Sequence, residues 1–389
     1  MSASQWSAPA RRAGGLTGLA AVLAVAALCA AGPPAPGPVA SLGLPPLSVP
    51  ADNPLTPATI ALGRKLFLDR RLSANATMSC AMCHVPEQGF TSNELRTSVG
   101  IEGRSVRRNA PTLLNVAYQR RLFHDGREVS LEDQIWGPLL AANEMGNPSI
   151  GSVLERLRSL PDYAGLFERA FAGRGVSALL VGQALAAYQR TLIAGDSRFD
   201  RWRYGGDAAA LTEIEQRGFA LFVGRARCAA CHTVGEHDAL FADQRFHNTG
   251  IGWRRSHGPP ARTRVELAPG VFTELDRQTL ETFSEPSAKD VGRYEITLDP
   301  RERWAYKTPS LRNVALTAPY MHDGSLPTLE AVIDFYDGGG VDNPEKSPLI
   351  SPLGLDADER AALAAFLRTL TGANVRALVE DARRTPAGP

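Results

Sequence analysis

The sequence carries no excess of either charge: 42 Lys and Arg stand against 41 Asp and Glu. That balance excludes binding to nucleic acid by wholesale phosphate neutralisation. It leaves room for a local charged patch that docks a partner. Strand signals are few. The apolar run Leu16 to Ala31 is too short to span a bilayer comfortably. Cysteine is scarce, at five in 389 residues, and there are only five methionines and seven histidines. Disorder and a small disulfide scaffold are both excluded, because hydrophobic residues make up 44% of the chain, enough for a core in each of about two domains.

The first 50 residues differ from the rest. Arg11 and Arg12 precede the apolar run, and the Ala-rich ground near Ala30 suits a signal peptidase. Residues 1–31 therefore read as an export signal, with an uncleaved anchor as the alternative. Cys29 leaves with the signal, and no membrane span remains. Residues 32–53 are Pro-rich and read as an extended linker. The exported cysteines meet an oxidising compartment.

Four cysteines then remain, in two identical frames: Cys80-Ala81-Met82-Cys83-His84 and Cys228-Ala229-Ala230-Cys231-His232. Each is C-x-x-C-H, the attachment frame of c-type haem. Two thiols three apart can each bond one vinyl group on the same porphyrin edge, and the next residue swings its imidazole under the iron. The competing readings are a redox pair, a zinc site and a plain disulfide. Two frames that use every mature cysteine favour two haems, with His84 and His232 as proximal iron ligands. No cysteine is left for an iron–sulfur cluster.

The frames belong to a longer internal repeat. Pro111-Thr112-Leu113-Leu114-Asn115-Val116-Ala117 matches Pro309-Ser310-Leu311-Arg312-Asn313-Val314-Ala315 at an offset of 198. The same offset pairs His124-Asp125-Gly126 with His322-Asp323-Gly324, and Leu131-Glu132 with Leu329-Glu330. Helices are expected from Thr56 to about Asp69, over Val153 to Ala172 with a break at Pro161, and over Val176 to Ala194. Others are expected over Leu211 to Val223, from Thr328 through Phe335, and over Asp356 to Leu370. Residues 235–300 read as a long polar loop, and residues 196–209 as a linker. The fold class is mainly α: two cytochrome c-like haem domains related by the repeat. The N-terminal one spans 54–200 and the C-terminal one 210–373, with a tail over 374–389.

The distal side of each iron separates an enzyme from a carrier. Candidate ligands are few: Met145, Met321 and the histidines His124, His237, His247, His257 and His322. Arg108-Asn109-Ala110-Pro111, Asp125-Gly126-Arg127, Leu131-Glu132-Asp133-Gln134, Asn143-Glu144-Met145 and Tyr320-Met321-His322-Asp323-Gly324 resemble the dihaem bacterial cytochrome c peroxidase and MauG family. The resemblance covers about Pro54 to Gly372. It implies a peroxidatic haem on His84, with Gln134 and Glu144 as the distal pair. It implies an interdomain calcium on Asn109, Thr317 and Pro319, all oxygen donors that suit that ion. From the residues alone, Asn109 reads equally as a turn-capping residue.

Three departures from the family's peroxidases stand out. The loop Ser98 to Arg104 lacks their displaceable histidine, so the first haem is expected to rest five-coordinate. Their methionine ligand on the electron-transfer haem becomes Tyr336, as in MauG-like members; a phenolate stabilises oxidised iron. Tyr336 also lies on one helical face with Leu329, Val332 and Ile333, so a core role is the plain alternative, and Met321 is the rival ligand. The relay tryptophan between the haems becomes His124, for which a structural hydrogen bond shared with His322 is the alternative. The resemblance thus implies a periplasmic enzyme that reduces hydrogen peroxide, with Glu144 as proton shuttle and Gln134 orienting the peroxide. Electrons come from a small donor protein, a cytochrome c or cupredoxin, or from a protein substrate. The competing function is a non-enzymatic dihaem electron carrier.

Overall fold

The structure, a computed structural model, describes residues 41–257, 262–268, 270–276 and 289–384. The expected export signal lies outside the described residues. Among them, no helix is long and apolar enough to cross a membrane.

Two helix pairs organise the fold. Pro57–Leu68 starts where Thr56 and Thr59 close a capping box, with Pro57 at its first position. It packs on Ala178–Gln189, which is buried on nearly every side. Glu213–Val223, capped by Thr212, packs in the same way on Ala357–Arg368, capped by Asp356. Both crossings are so close that only glycine fits. A Cβ on Gly63 would overlap the Ala184 carbonyl, and one on Gly218 would overlap the Ala362 carbonyl. Gly218→Ala is therefore expected to destabilise the holoprotein by about 1–3 kcal/mol through overpacking. A denaturation midpoint equal to that of the wild type would show that the helices separate without cost.

Each pair centres a core. The first gathers Leu62, Leu66, Phe67, Leu139, Leu157, Phe167, Val181 and Leu185. The second is richer in aromatics: Phe199, Phe222, Phe241 and Phe366 meet ring to ring at 5.2–6.3 Å. The break at Pro161 is present, with Ile150–Ser159 before it and Leu166–Ala170 after.

Four stretches differ from the sequence reading. The linker expected over 32–53 is not free where it is described. Asn53 donates to Glu132 at 2.7 Å, Gln183 donates to the Asp52 carbonyl at 2.9 Å, and the Gly43 carbonyl accepts from Arg312. The linker expected over 196–209 holds a helix, Arg198–Arg203, because Ser197 and Asp200 form a capping box and Phe199 enters the second core. The tail expected over 374–389 holds the helix Val375–Arg383. Its face Val375, Leu378, Val379 and Ala382 has helical spacing and packs on the first core. The loop expected over 235–300 contains the helix Ile251–Ser256 and an antiparallel hairpin, Arg262–Ala268 with Val271–Asp276, turned at Gly270. Its second strand is largely exposed, so it carries no buried stripe to betray it.

Local geometry recurs at the offset of 198. Asn115 and Asn313 both adopt positive φ, 62° and 63°, as do Phe123 and Met321, at 62° and 74°. The Leu122–Glu128 bridge has its counterpart in Tyr320–Leu326.

Candidate functional site

The first frame forms one helical turn, Cys80–Cys83, with His84 as its C-cap. The His84 Nδ1 lies 3.3 Å from the Phe90 carbonyl, with the Pro111 carbonyl nearby. A proton held there leaves the Nε2 lone pair for a metal. Burial pushes His84 down to about 4 against those two carbonyls, so the imidazole is neutral, the form that ligates iron.

A pocket of about 60 Å³, partly open to solvent, lies against this frame. Cys80, Cys83 and His84 line it together with Gln134 and Glu144; Phe67, Leu113, Leu139 and Leu185 supply apolar wall. Gln134 ends the short helix Leu131–Gln134, and Ser130 caps that helix. The Glu144 backbone is pinned, its carbonyl accepting from Ile101 at 2.9 Å and its N–H donating to Ala141 at 3.0 Å. The loop without a histidine thus buttresses the Glu144 segment. Burial raises the Glu144 carboxyl above the ordinary range, and the Arg127 charge opposes this. Met78 and Met145 also line the cavity.

The second frame is a 3₁₀ turn, Cys228–Ala230, followed by Cys231 and His232. The His232 Nδ1 lies 2.8 Å from the Phe241 carbonyl, and burial again lowers its pKa. Tyr336, on the helix Leu329–Asp337, feels Cys231 and Cys228. Burial, then those two thiols, pushes its phenol up. Met321 sits in the left-handed turn that matches Phe123. Both frames fit haem: two thiols, an oriented neutral imidazole, and at the first a walled cavity.

The Nε2 of His124 lies 2.9 Å from the Asn109 carbonyl, and burial pushes His124 down to about 4. His322 does not share that bond. It stacks on Tyr306 at 3.5 Å and 11°, and its buried Nε2 has no hydrogen-bond partner among the described residues. Asn109 directs Nδ2 to the Arg96 carbonyl at 3.0 Å, which leaves Oδ1 as its donor atom towards a cation. Thr317 Oγ1 donates to the Val314 carbonyl at 3.1 Å, and Pro319 follows in the same turn. Trp136 packs half-buried against the first core.

Two groups escaped sequence reasoning. Asp290, 1% exposed, accepts two bonds from Arg108 at 2.7 and 2.8 Å, tying the 289–295 segment to the one that carries Arg108. Asp243 and His247 pair at 2.8 Å beside Cys231. Neither has a motif, because each set is assembled from sequence-distant or unpatterned polar residues.

A family model described as di-haem cytochrome c peroxidase matches residues 57–209, and one described as RoxA-like, cytochrome c-like matches 305–336. The chain is 39% identical over 355 residues to cytochrome-c peroxidase IdrP1 of Denitromonas iodatirespirans, covering 90% of this chain and 92% of that protein. It is 40% identical over 322 residues to methylamine utilization protein MauG of Methylorubrum extorquens, covering 82% of this chain and 80% of that one. A solved MauG-like protein associated with microbial copper homeostasis superposes with a TM-score of 0.68 at 36% identity, covering 86% of this chain and 95% of that one. With both haem frames, the cavity and these relatives in hand, the chain is an oxidoreductase belonging to the di-haem cytochrome c peroxidase family that includes MauG.

Proposed function

We propose that this protein is a MauG-like periplasmic peroxidase built from two cytochrome c-like units that repeat one another, over 54–200 and 210–373. The observation that carries the reading is a single cavity lined by Cys80, Cys83, His84, Gln134 and Glu144. The haem on His84, when bound, supplies the iron that takes part in O–O cleavage. Glu144 takes the proton from the inner peroxide oxygen and returns it to the departing one. Gln134 orients peroxide by hydrogen bonding and moves no proton. Reduction of one peroxide to two waters consumes two protons and two electrons. The electrons would be supplied by a small cytochrome, a cupredoxin or a protein substrate; His232 and Tyr336 would hold the second haem, which would supply redox chemistry. A calcium ion on Asn109, Thr317 and Pro319 joins the units. His124 is assigned a structural role at the Asn109 carbonyl.

Electron paramagnetic resonance of the ferric holoprotein tests the reading. One high-spin and one low-spin haem are expected, and one equivalent of peroxide should bleach both ferric signals without added reductant. Two low-spin haems inert to peroxide would sink it and point to Met145 as a ligand. Tyr336→Phe should alter the low-spin spectrum; an unchanged spectrum would transfer that ligand role to Met321.

The raised Glu144 pKa sets a pH dependence. A base works only when ionised, so peroxide consumption falls as pH drops through the Glu144 pKa. Because burial raises that pKa, the acid limb of the rate profile is expected above the ordinary Glu value of 4.5. A limb at or below that value would separate the carboxyl from the rate.

A further inference from the structure

Two backbone contacts cross between the haem units in mirrored form. The Asn109 N–H donates to the His322 carbonyl at 2.7 Å, and the Lys307 N–H donates to the His124 carbonyl at 2.8 Å. The offset that carries His124 onto His322 also carries Asn109 onto Lys307. In reverse, it carries Thr317 and Pro319 onto Gln119 and Arg121. At these matching positions Lys307 Nζ donates to Gln119 Oε1 at 2.8 Å. An ammonium therefore stands opposite the place proposed for a metal cation.

Among the described residues, that ammonium has no counter-charge. Its partner is a neutral amide, and burial alone pushes Lys307 down to about 8, with no acidic group opposing. The acids of the neighbouring segments are engaged elsewhere. Asp290 holds Arg108, Asp125 holds Arg108 and Arg127, and Glu295 holds Arg107. Lys307 is half-buried, and lysine is seldom drawn even part of the way from water unless it is paired. Each haem brings two carboxylates. The strand Tyr306–Lys307 leads within two residues to Pro309, whose carbonyl faces His232.

We propose that Lys307 binds a carboxylate of the haem on the second frame. This rests on both frames holding haem, which a pyridine haemochrome count of two per chain tests separately and first. The decisive experiment is a potentiometric titration of the holoprotein with Lys307→Met, Lys307→Gln and Lys307→Arg, read with resonance Raman of the haem carboxylate bending modes. Removing a positive charge beside the haem edge favours ferric iron. Lys307→Met should raise the oxidised-to-reduced ratio of the second haem about tenfold at fixed potential, which is 59 mV for one electron. Its carboxylate bending band should shift, and Lys307→Arg should restore both. If the Met variant fails to fold, Lys307→Gln decides by the same readings. Two haems present with the second haem's potential and band both unchanged would overturn the proposal.

Discussion

Glu144→Gln slows peroxide consumption by about 10²–10⁴-fold, the range for loss of a positioned proton-transfer group. The substitution keeps size and hydrogen-bonding shape and removes only the titratable oxygen. The backbone of the segment is held from Ile101 and Ala141, so the amide occupies the place of the carboxyl. Both haems stay attached, because neither frame involves Glu144. The ferric spectrum should stay close to that of the wild type, and the loss should fall on the peroxide step measured by stopped flow. The size of the effect follows from the surroundings. Gln134 shares the cavity and cannot take a proton, and Arg127 acts on Glu144 only as a charge. If the variant turns over peroxide at the wild-type rate, water or another group moves the proton and Glu144 leaves the mechanism. Such an outcome would leave the haem frames and the family membership untouched.

The parts of the site that could be read in the sequence are those fixed by covalent or local chemistry. A thioether pair and its imidazole need a set spacing, so Cys80, Cys83 and His84 announce themselves, as do Cys228, Cys231 and His232. Helices with a cap and an apolar face are equally legible, and Pro57–Leu68 and Ala357–Arg368 lie close to where caps and spacing put them. Gln134 and Glu144 carry no such signal. Only family resemblance points to them, and the cavity groups them with the first frame. Contacts over long sequence distances stayed hidden. Arg108 and Asp290 are 182 residues apart, and nothing local marks either as the other's partner. The 41–53 strap looked like a linker because its Pro-rich composition hides the backbone carbonyls that Arg312 and Gln183 seek out. The helix Val375–Arg383 is different: its apolar spacing was present, but its place at the chain end made it read as a tail.

Asp200→Ala is expected to destabilise the holoprotein by about 3–5 kcal/mol, the cost of stripping one partner from a buried ion pair. Arg312 and Asp200 have side chains 1% and 0% exposed and meet through two bonds of 2.9 Å. Arg312 also donates to the Ala239 carbonyl at 2.6 Å and to the Gly43 carbonyl, so its guanidinium cannot swing out to water without breaking both. Asp200 in turn accepts the Ser197 N–H and hydroxyl at 2.8 Å, so the substitution also removes one half of the capping box that starts Arg198–Arg203. The disturbance has a direction. Arg312 holds Ala239, and two residues on the Phe241 carbonyl orients the His232 Nδ1. The low-spin haem spectrum should therefore change while the high-spin one does not. Replacing both partners with leucine should recover part of the loss, because no charge is then left stranded. A loss under about 1 kcal/mol for Asp200→Ala would place the pair in the range of exposed ion pairs. Water would then reach the guanidinium, and the pair would not be what holds the 41–44 strap and the second haem unit together.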